Sequence, residues 1–244
     1  MAEQEKSTQV HTGYNHRSST FRVAEAYKMI RTNLMFALAN TDNRVVVFSS
    51  AEPGAGKSTL CANLAISMAQ AGKKVILLDA DMRKPVQHRN FRVSKTLGLS
   101  KILGGLNDVN ECIYKQLIPN LDLIPSGSIP PNPSELLGSA RMAALTEELR
   151  KRYDFVFVDT PPLGIVTDAL ALAPQAAGVV LVARHKQTMY DELSTAIENI
   201  KQINASLLGV VLTDTQAEKG GYAGYTRKKY YQAYNYEYFA NYKE

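Results

Sequence analysis

The sequence has little cysteine and no long apolar run. Its two cysteines, Cys61 and Cys112, stand alone in helix-like surroundings, which argues against a disulfide framework and against a cysteine-based metal site. No apolar stretch approaches the roughly 18–20 residues that a membrane-spanning helix needs, and the polar segment from Met1 to Thr20 lacks the apolar stretch of a signal peptide. We therefore expect a cytoplasmic protein.

The basic excess is small and does not identify a partner. The formal net charge is +5 and the isoelectric point is near 9.1, but the Lys and Arg residues are dispersed except at Arg227-Lys228-Lys229. The charge alone therefore indicates neither nucleic acid nor an anionic membrane.

The length of 244 residues suits one domain with terminal extensions. Residues 1–20 offer almost nothing to bury, so we predict a flexible N-terminal arm. The domain is predicted to span residues 21–214 and to open with a helix from about Phe21 to Ala39, where apolar residues recur at helical spacing. Apolar periodicity stops after Thr213, so residues 215–244 are predicted to form a disordered tail.

Short apolar runs flanked by turn residues recur along the domain. They are continuous rather than alternating, which indicates strands buried on both faces, as in parallel sheets covered by helices. The predicted strands are Val45–Ser49, Val75–Leu78, Leu121–Ile124, Phe155–Val158, Val179–Val182 and Leu207–Leu212, and the predicted helices between them include Leu60–Ala71, Glu135–Arg152 and Glu192–Ile203. The proline-rich loop 129–134 is expected to end in Ser134 as a helix cap. The pattern predicts an α/β fold with a doubly wound, mostly parallel sheet and helices on both faces.

A phosphate-binding motif follows the first predicted strand directly. Residues 51–59 match G-x-x-x-x-G-K-[ST] except at the first position, where Ala51 replaces glycine. Glycines let backbone N–H groups wrap phosphates, the lysine neutralises phosphate oxygens, and the serine hydroxyl reaches a metal ion. The residues expected to bind nucleotide are Gly54, Ala55, Gly56, Lys57, Ser58 and Thr59. The fold is accordingly predicted to be P-loop NTPase-like.

Three aspartates follow two other predicted strands. Asp79 and Asp81 come after Val75–Leu78, and Asp159 comes after Phe155–Val158. Ligands of doubly wound sheets bind at the carboxyl ends of strands, so these acids should converge beside the P-loop, where they would suit Mg²⁺. The alternative is that each aspartate only caps the turn that follows it. Each of three further residues could either contact phosphate or form a structural salt bridge: Arg83, Arg184 and Asp168.

These segments together resemble the bacterial tyrosine kinases of capsule and exopolysaccharide systems, the BY-kinases, over about residues 21–244. The resemblance rests on the P-loop, on Asp79-Ala-Asp-Met-Arg-Lys-Pro85, on Asp159-Thr-Pro-Pro162, on the Pro-Pro-Asn-Pro-Ser-Glu stretch of residues 130–135, and on a terminal tyrosine cluster. What it implies is a P-loop protein-tyrosine kinase that uses ATP and Mg²⁺.

The resemblance also implies a role for each site residue. Lys57 and Ser58 hold nucleotide and Mg²⁺, and Asp81 and Asp159 bind or position the metal ion together with Ser58. Asp79 orients or deprotonates the attacking tyrosine hydroxyl. The expected catalytic residues are therefore Asp79, Lys57 and Asp81.

Three places depart from related patterns. The related positioning and partitioning ATPases carry an extra lysine where this chain has Glu52, which favours the kinase branch. Thr213 stands where relatives often place an asparagine against adenine, so the base contact stays open. Glu25, Lys28 and Arg31 resemble the E-x-x-R-x-x-R helix that implies subunit contacts in a ring, with lysine in place of the middle arginine. These three residues, spaced three apart on a helix, could equally form a solvated face.

The tail contains most of the tyrosines of the chain. Eight of thirteen tyrosines occur there, and the expected phosphoacceptors are Tyr222, Tyr225, Tyr230, Tyr231, Tyr234, Tyr236, Tyr238 and Tyr242. Few aliphatic residues surround them, so they cannot form a core of their own. A basic aromatic segment could also stack on single-stranded nucleic acid. We expect no nucleic-acid partner, because the segment is attached to an ATP site.

Charge suggests a switch in the tail. From Lys219 onward the tail has five basic and two acidic side chains, and each phosphotyrosine would add about −1.5 to −2. The hypothesis is that an unmodified tail docks at the acid-lined site of a neighbouring subunit for transfer in trans, and that phosphorylation releases it.

The leading hypothesis is an autokinase that phosphorylates its tail and regulates capsular or exopolysaccharide synthesis and export. The alternatives are a P-loop ATPase switch of the positioning or partitioning type without kinase activity, and a scaffold that ATP merely locks. The resemblance implies a homo-oligomer, a separate membrane-embedded activator (a polysaccharide co-polymerase), a tyrosine phosphatase and protein substrates. It also implies recruitment to the inner face of the cell membrane through that activator.

Overall fold

The continuous apolar runs form the strands of a seven-stranded sheet in the computed structural model, which describes residues 17–215 and the side chains from Arg22 onward. The predicted arm up to residue 16 and the tail from residue 216, with all eight expected phosphoacceptor tyrosines, lie outside the described residues. The strands are β1 (Val45–Ser50), β2 (Val75–Asp79), β3 (Tyr114–Ile118), β4 (Leu121–Ile124), β5 (Phe155–Asp159), β6 (Gly178–Arg184) and β7 (Leu207–Thr213).

The order of the strands is β3-β4-β2-β5-β1-β6-β7. All neighbouring strands are parallel except β3, which pairs antiparallel with β4. The helices are α1 (Arg17–Ala37), α2 (Lys57–Gln70), α3 (Gln87–Asn90), α4 (Leu99–Leu103), α5 (Val109–Cys112), α6 (Pro133–Leu137), α7 (Ala140–Arg150), α8 (Asp168–Leu172) and α9 (Tyr190–Gln202), with a 3₁₀ turn at Ala173–Gln175. The predicted doubly wound α/β fold is confirmed.

Helices cover both faces of the sheet. Along β1, Val45 and Val47 pack on one side with α7, α8 and α9, whereas Val46 and Phe48 pack on the other side with α1 and α2. All four of these side chains are buried, as the continuous apolar run predicts. Cys61 and Cys112 are buried free thiols. Within residues 17–215 we find no helix with the length and hydropathy needed to cross a membrane.

The structure differs from the sequence prediction at four places. Helix α1 begins at Arg17 rather than near Phe21, and the edge strand β3 was not predicted. The predicted helix over residues 135–152 is two helices, because the chain turns at Gly138 and Ser139 then caps α7 by accepting the Met142 N–H at 3.3 Å. The prediction that Ser134 caps this region was wrong: Asn132 is the N-cap residue of α6, with Pro133 as its first helical residue.

The loop after β5 packs directly on the start of the P-loop. Leu163 N–H donates to the Ser50 carbonyl at 2.8 Å, and Gly164 N–H donates to the Ala51 carbonyl at 3.1 Å. A Cβ atom on Gly164 would lie 2.2 Å from the Ala51 carbonyl oxygen, which is far inside contact distance. Glycine at this position lets the two loops approach, and so fixes the P-loop against β5.

We predict that Gly164→Ala lowers the free energy of unfolding by about 1–3 kcal/mol, because two backbone segments must separate to admit the methyl group. Gly138→Ala is the matched control, since its added Cβ would lie 3.4 Å from its nearest neighbour, the Ser134 carbonyl oxygen. Urea unfolding of both variants measures the difference. Equal stability of the two variants would contradict the close-packing argument.

Candidate active site

The P-loop lies between β1 and α2. Gly54 and Gly56 have φ angles of +81° and +88°, a left-handed conformation that glycine adopts without strain. Helix α2 begins at Lys57, so its first N–H groups and the positive end of its dipole face the loop. The predicted nucleotide-binding residues therefore have the backbone shape and the charge that a phosphate group needs.

Neighbouring segments hold this loop in place. The Thr213 hydroxyl at the end of β7 donates to the Ala55 carbonyl at 2.7 Å, and the Thr188 hydroxyl donates to the Glu52 carboxylate at 2.7 Å. Arg184 donates to the Gly54 carbonyl at 3.3 Å. Thr213 thus holds the backbone of the P-loop, whereas sequence reasoning considered this position only for contact with adenine.

The predicted acids converge on Lys57. Asp79 and Asp159 are neighbours across β2 and β5, and both are fully buried. The ammonium Nζ of Lys57 lies 3.0 Å from Asp159 Oδ1 and 3.3 Å from Asp81 Oδ2. It also donates to the Ser58 hydroxyl at 3.0 Å. The structure thus brings together Lys57 and Ser58 of the P-loop and three strand-end aspartates.

Burial and mutual repulsion set the protonation of this cluster. Burial raises the pKa of Asp79 to about 8, with a further contribution from the nearby carboxylate of Asp159. Burial alone would lower the pKa of Lys57, but the carboxylates of Asp159 and Asp81 outweigh that effect and raise it. Lys57 therefore stays charged, while the carboxyl group of Asp79 is mostly protonated at neutral pH.

A sixth polar side chain, Gln87, completes the cluster. It is the first residue of α3 and is fully buried. Its backbone N–H donates to Asp79 Oδ2 at 2.9 Å, and its amide nitrogen donates to Asp159 Oδ2 at 2.7 Å and to the Ser58 carbonyl at 3.0 Å. Sequence reasoning missed this residue, because α3 is too short for periodicity and no motif contains a glutamine at this spacing.

Arg83, Ser134 and Asp168 form a second network close by. Arg83 donates to both oxygens of the buried Asp168, at 2.9 and 3.0 Å, and the Ser134 hydroxyl also donates to this carboxylate. Of the two roles left open for Arg83 and Asp168, the structure shows the salt bridge. It ties the turn after β2 to α6 and α8.

The three residues of the expected subunit contact lie on α1. Lys28 donates to Glu25 at 2.7 Å, and the guanidinium of Arg31 donates to the Ser67 carbonyl of α2 at 2.8 Å. Arg31 is therefore bound to its own subunit through at least one N–H group. The ring contact at Glu25, Lys28 and Arg31 stays a prediction.

An open groove of about 350 Å³ adjoins the P-loop. Its apolar lining comes from Ala51, Pro53, Gly164 and Ile165, and its acidic side chains are Glu52, Asp191 and Glu192, with Thr195 beside them. Ile165 is 62% exposed. None of the ion pairs found among the described residues involves these three acids.

The donor set fits a nucleotide with a divalent ion better than a resident metal. In the described part of the chain, no group of three or more His, Cys, Asp or Glu side chains is arranged to hold an ion by itself. One serine and two aspartates are few protein ligands, as Mg²⁺ sites completed by phosphate oxygens require. Asp79 Oδ1 is buried without a hydrogen-bond partner among the described residues, so the cluster retains one unused acceptor.

We predict that Asp79→Asn stabilises the nucleotide-free protein increasingly as pH rises. The carboxyl pKa is about 8 in the folded state and has its ordinary value of 3.8 in the unfolded chain, so ionisation between these values destabilises the fold. The penalty is absent below about pH 4 and complete above about pH 8, and asparagine does not incur it. One pKa unit corresponds to about 1.4 kcal/mol, so the gain at pH 9 should exceed about 1 kcal/mol.

Chemical unfolding from pH 5 to pH 9 measures this effect. The exposed Asp42→Asn controls for the loss of a carboxylate at the surface. A stability difference between Asp79→Asn and the wild type that is constant over this range would show that Asp79 does not titrate as predicted.

Comparison with known proteins agrees with this geometry. Residues 43–210 match the family model described as AAA domain. Tyrosine-protein kinase YwqD of Bacillus subtilis is 40% identical over 202 residues, which are 83% of this chain and 85% of YwqD. The crystal structure of the chimerical protein CapA2B2 superposes with a TM-score of 0.75 at 41% identity, covering 83% of this chain and 87% of that one.

More distant structures share the fold alone. The septum site-determining protein MinD of Pyrococcus horikoshii has a TM-score of 0.60 at 20% identity, over 75% of this chain and 76% of MinD.

Among larger relatives, the chain spans only 28% of the length of the putative tyrosine-protein kinase EpsB of Ralstonia solanacearum, at 39% identity. P-loop proteins of this fold bind nucleotide together with a divalent metal ion. On its identity to YwqD over most of both chains, the protein belongs to the bacterial tyrosine-protein kinase family, the BY-kinases.

Proposed function

We propose that the chain is an ATP- and Mg²⁺-dependent protein-tyrosine kinase that phosphorylates the tyrosine cluster of its own C-terminal tail. The observation that carries the proposal is the state of Asp79. It is a buried acid with a pKa near 8 and one unused oxygen, in the same cluster as the P-loop lysine. The ionised form of such an acid is a stronger base than an ordinary carboxylate, which suits it to take a proton from a bound hydroxyl group.

Each residue of the cluster has a distinct task in this proposal. Lys57 supplies positive charge for phosphate oxygens, and Ser58, Asp81 and Asp159 supply the oxygens that would hold Mg²⁺. Asp79 Oδ1 orients the tyrosine hydroxyl and takes its proton. When bound, ATP supplies the γ-phosphoryl group and leaves as ADP, while Mg²⁺ offsets the charge of the phosphates.

The acidic groove beside the P-loop supports transfer to the tail of a second copy. Its three carboxylates are opposite in charge to the tail, which has five basic and two acidic side chains from Lys219 onward, and its apolar wall offers contact area for aromatic rings. Phosphates added to the tail would reverse this attraction. Docking in the groove would therefore favour unmodified tails and release modified ones.

Family membership supports the wider setting that we propose. The kinase would regulate capsular or exopolysaccharide synthesis and export as a homo-oligomer. A separate membrane-embedded activator would recruit it to the inner face of the membrane, and a tyrosine phosphatase would reset it.

We expect Lys57→Met to reduce tail phosphorylation by more than about 100-fold, because the phosphates lose their main protein cation. The purified chain is incubated with ATP and Mg²⁺, with and without a fused activator segment, and its tail peptides are analysed by mass spectrometry. Lys151→Met, at an exposed position on the end of α7, is the matched control, and circular dichroism verifies folding. ATP consumption by the wild type with an unmodified tail, even with the activator, would instead favour the ATPase switch.

Transfer in trans predicts that wild-type enzyme phosphorylates the tail of an isotope-labelled Lys57→Met chain. Removing two of the three carboxylates of the groove, with Asp191→Asn and Glu192→Gln in the wild-type partner, should slow this reaction about 3- to 10-fold, and less at high salt, because the attraction is electrostatic. Glu198→Gln, exposed on the same helix outside the groove, is the control. Phosphate confined to unlabelled chains would contradict transfer in trans, and an unchanged rate would contradict docking in the groove.

A further inference from the structure

We infer that Gln87 is a positioning residue that holds one oxygen of Asp79 and one oxygen of Asp159, so that the second oxygen of each acid faces the reaction site. The inference rests on the proposed function, because it concerns the same acids. It assigns a task to a residue that lies outside the P-loop and both acidic motifs.

Each of the two carboxylates accepts a hydrogen bond from Gln87 at one oxygen only. Asp159 gives Oδ2 to the Gln87 amide at 2.7 Å, and its Oδ1 faces Lys57 at 3.0 Å. Asp79 gives Oδ2 to the Gln87 backbone N–H at 2.9 Å, and its Oδ1 has no partner among the described residues. A carboxylate held at one oxygen cannot rotate freely, so the direction of its second oxygen is fixed.

A third bond connects this arrangement to the P-loop. The Gln87 amide nitrogen also donates to the Ser58 carbonyl at 3.0 Å, and the Ser58 hydroxyl is an expected metal ligand. One side chain therefore links the end of β5 to the first turn of α2. Ser58 and Asp159, the two metal-ligating residues of the proposed function that contact this amide, are thereby connected to each other.

Asn90 determines the orientation of the Gln87 amide. Its side-chain nitrogen donates to Gln87 Oε1 at 3.0 Å, so the Gln87 amide nitrogen points to Asp159 and to the Ser58 carbonyl. The opposite orientation would place the amide oxygen against the Asp159 carboxylate and break all three side-chain bonds. Both N–H groups and the oxygen of the amide are thus used, which is the full satisfaction that a buried polar group requires.

A neutral donor suits this position for an electrostatic reason. A second cation here, in addition to Lys57, would compete with a metal ion for Asp159, whereas an amide orients the carboxylate without adding positive charge. An apolar residue would leave the buried Asp159 Oδ2 without its donor. Gln87 is therefore expected to determine how strongly the metal ion and the nucleotide enhance each other's binding.

The test measures ADP affinity by calorimetry, with EDTA and with MgCl₂. For Gln87→Met, which keeps the volume but removes both donors, we expect the metal-free Kd to stay within about twofold of the wild-type value. The Mg²⁺-dependent gain in affinity should fall about 10-fold or more, as is typical when the partner of a metal ligand is lost. Gln202→Met, the same substitution at an exposed position on α9, should retain the full gain.

Asn90→Ala provides a second variant, because it releases the Gln87 amide without touching either acid. We expect a smaller loss of the Mg²⁺-dependent gain, about 2- to 4-fold, and this variant decides the question if Gln87→Met fails to fold. An unchanged gain in the folded variants would overturn the inference. A parallel loss of affinity with and without Mg²⁺, accompanied by a lower melting temperature, would reveal only a structural role and would overturn it as well. Because ADP binding needs no tyrosine, failure of the proposed kinase activity would appear separately, as an unmodified tail in the wild type.

Discussion

One buried ammonium group is paired with two of the three acids of the site. Lys57 lies within 3.3 Å of two buried carboxylates, and a third, Asp79, is next to them on the adjoining strand. Parallel strands end at the same edge of the sheet, so the fold itself brings these like charges together. Two of them form ion pairs with Lys57, and the third avoids the full cost of a buried charge by holding a proton up to about pH 8. The property that makes Asp79 a suitable base thus follows from a shortage of positive charge.

The sequence was sufficient to locate most of the site. The P-loop and the three aspartates were predicted because each follows a continuous apolar run, and such runs reveal buried parallel strands. The edge strand β3 escaped prediction because its five residues are half-buried or exposed and because its register shifts against β4. An edge strand with mixed burial has neither the continuous nor the alternating pattern on which such predictions depend.

Local signals were less informative where tertiary contacts decide the structure. Serine is a common helix N-cap residue, but the Ser134 hydroxyl donates to Asp168, and Asn132 takes the cap position instead. The break between α6 and α7 at Gly138-Ser139 is visible in the sequence only if glycine is read as the end of one helix and serine as the start of the next. Gln87 could not have been found in this way, since its importance comes from contacts with Asp79, Ser58 and Asp159, which lie on three different segments.

The contacts around the P-loop have a consequence for ligand affinity. Thr213, Arg184 and Gly164 bind its carbonyl groups from three separate segments, and Thr188 holds its one acidic side chain. The loop therefore has its working shape before any phosphate arrives. Its conformational entropy is lost when the domain folds rather than when nucleotide binds, so none of the interaction energy with phosphate is needed to order the loop.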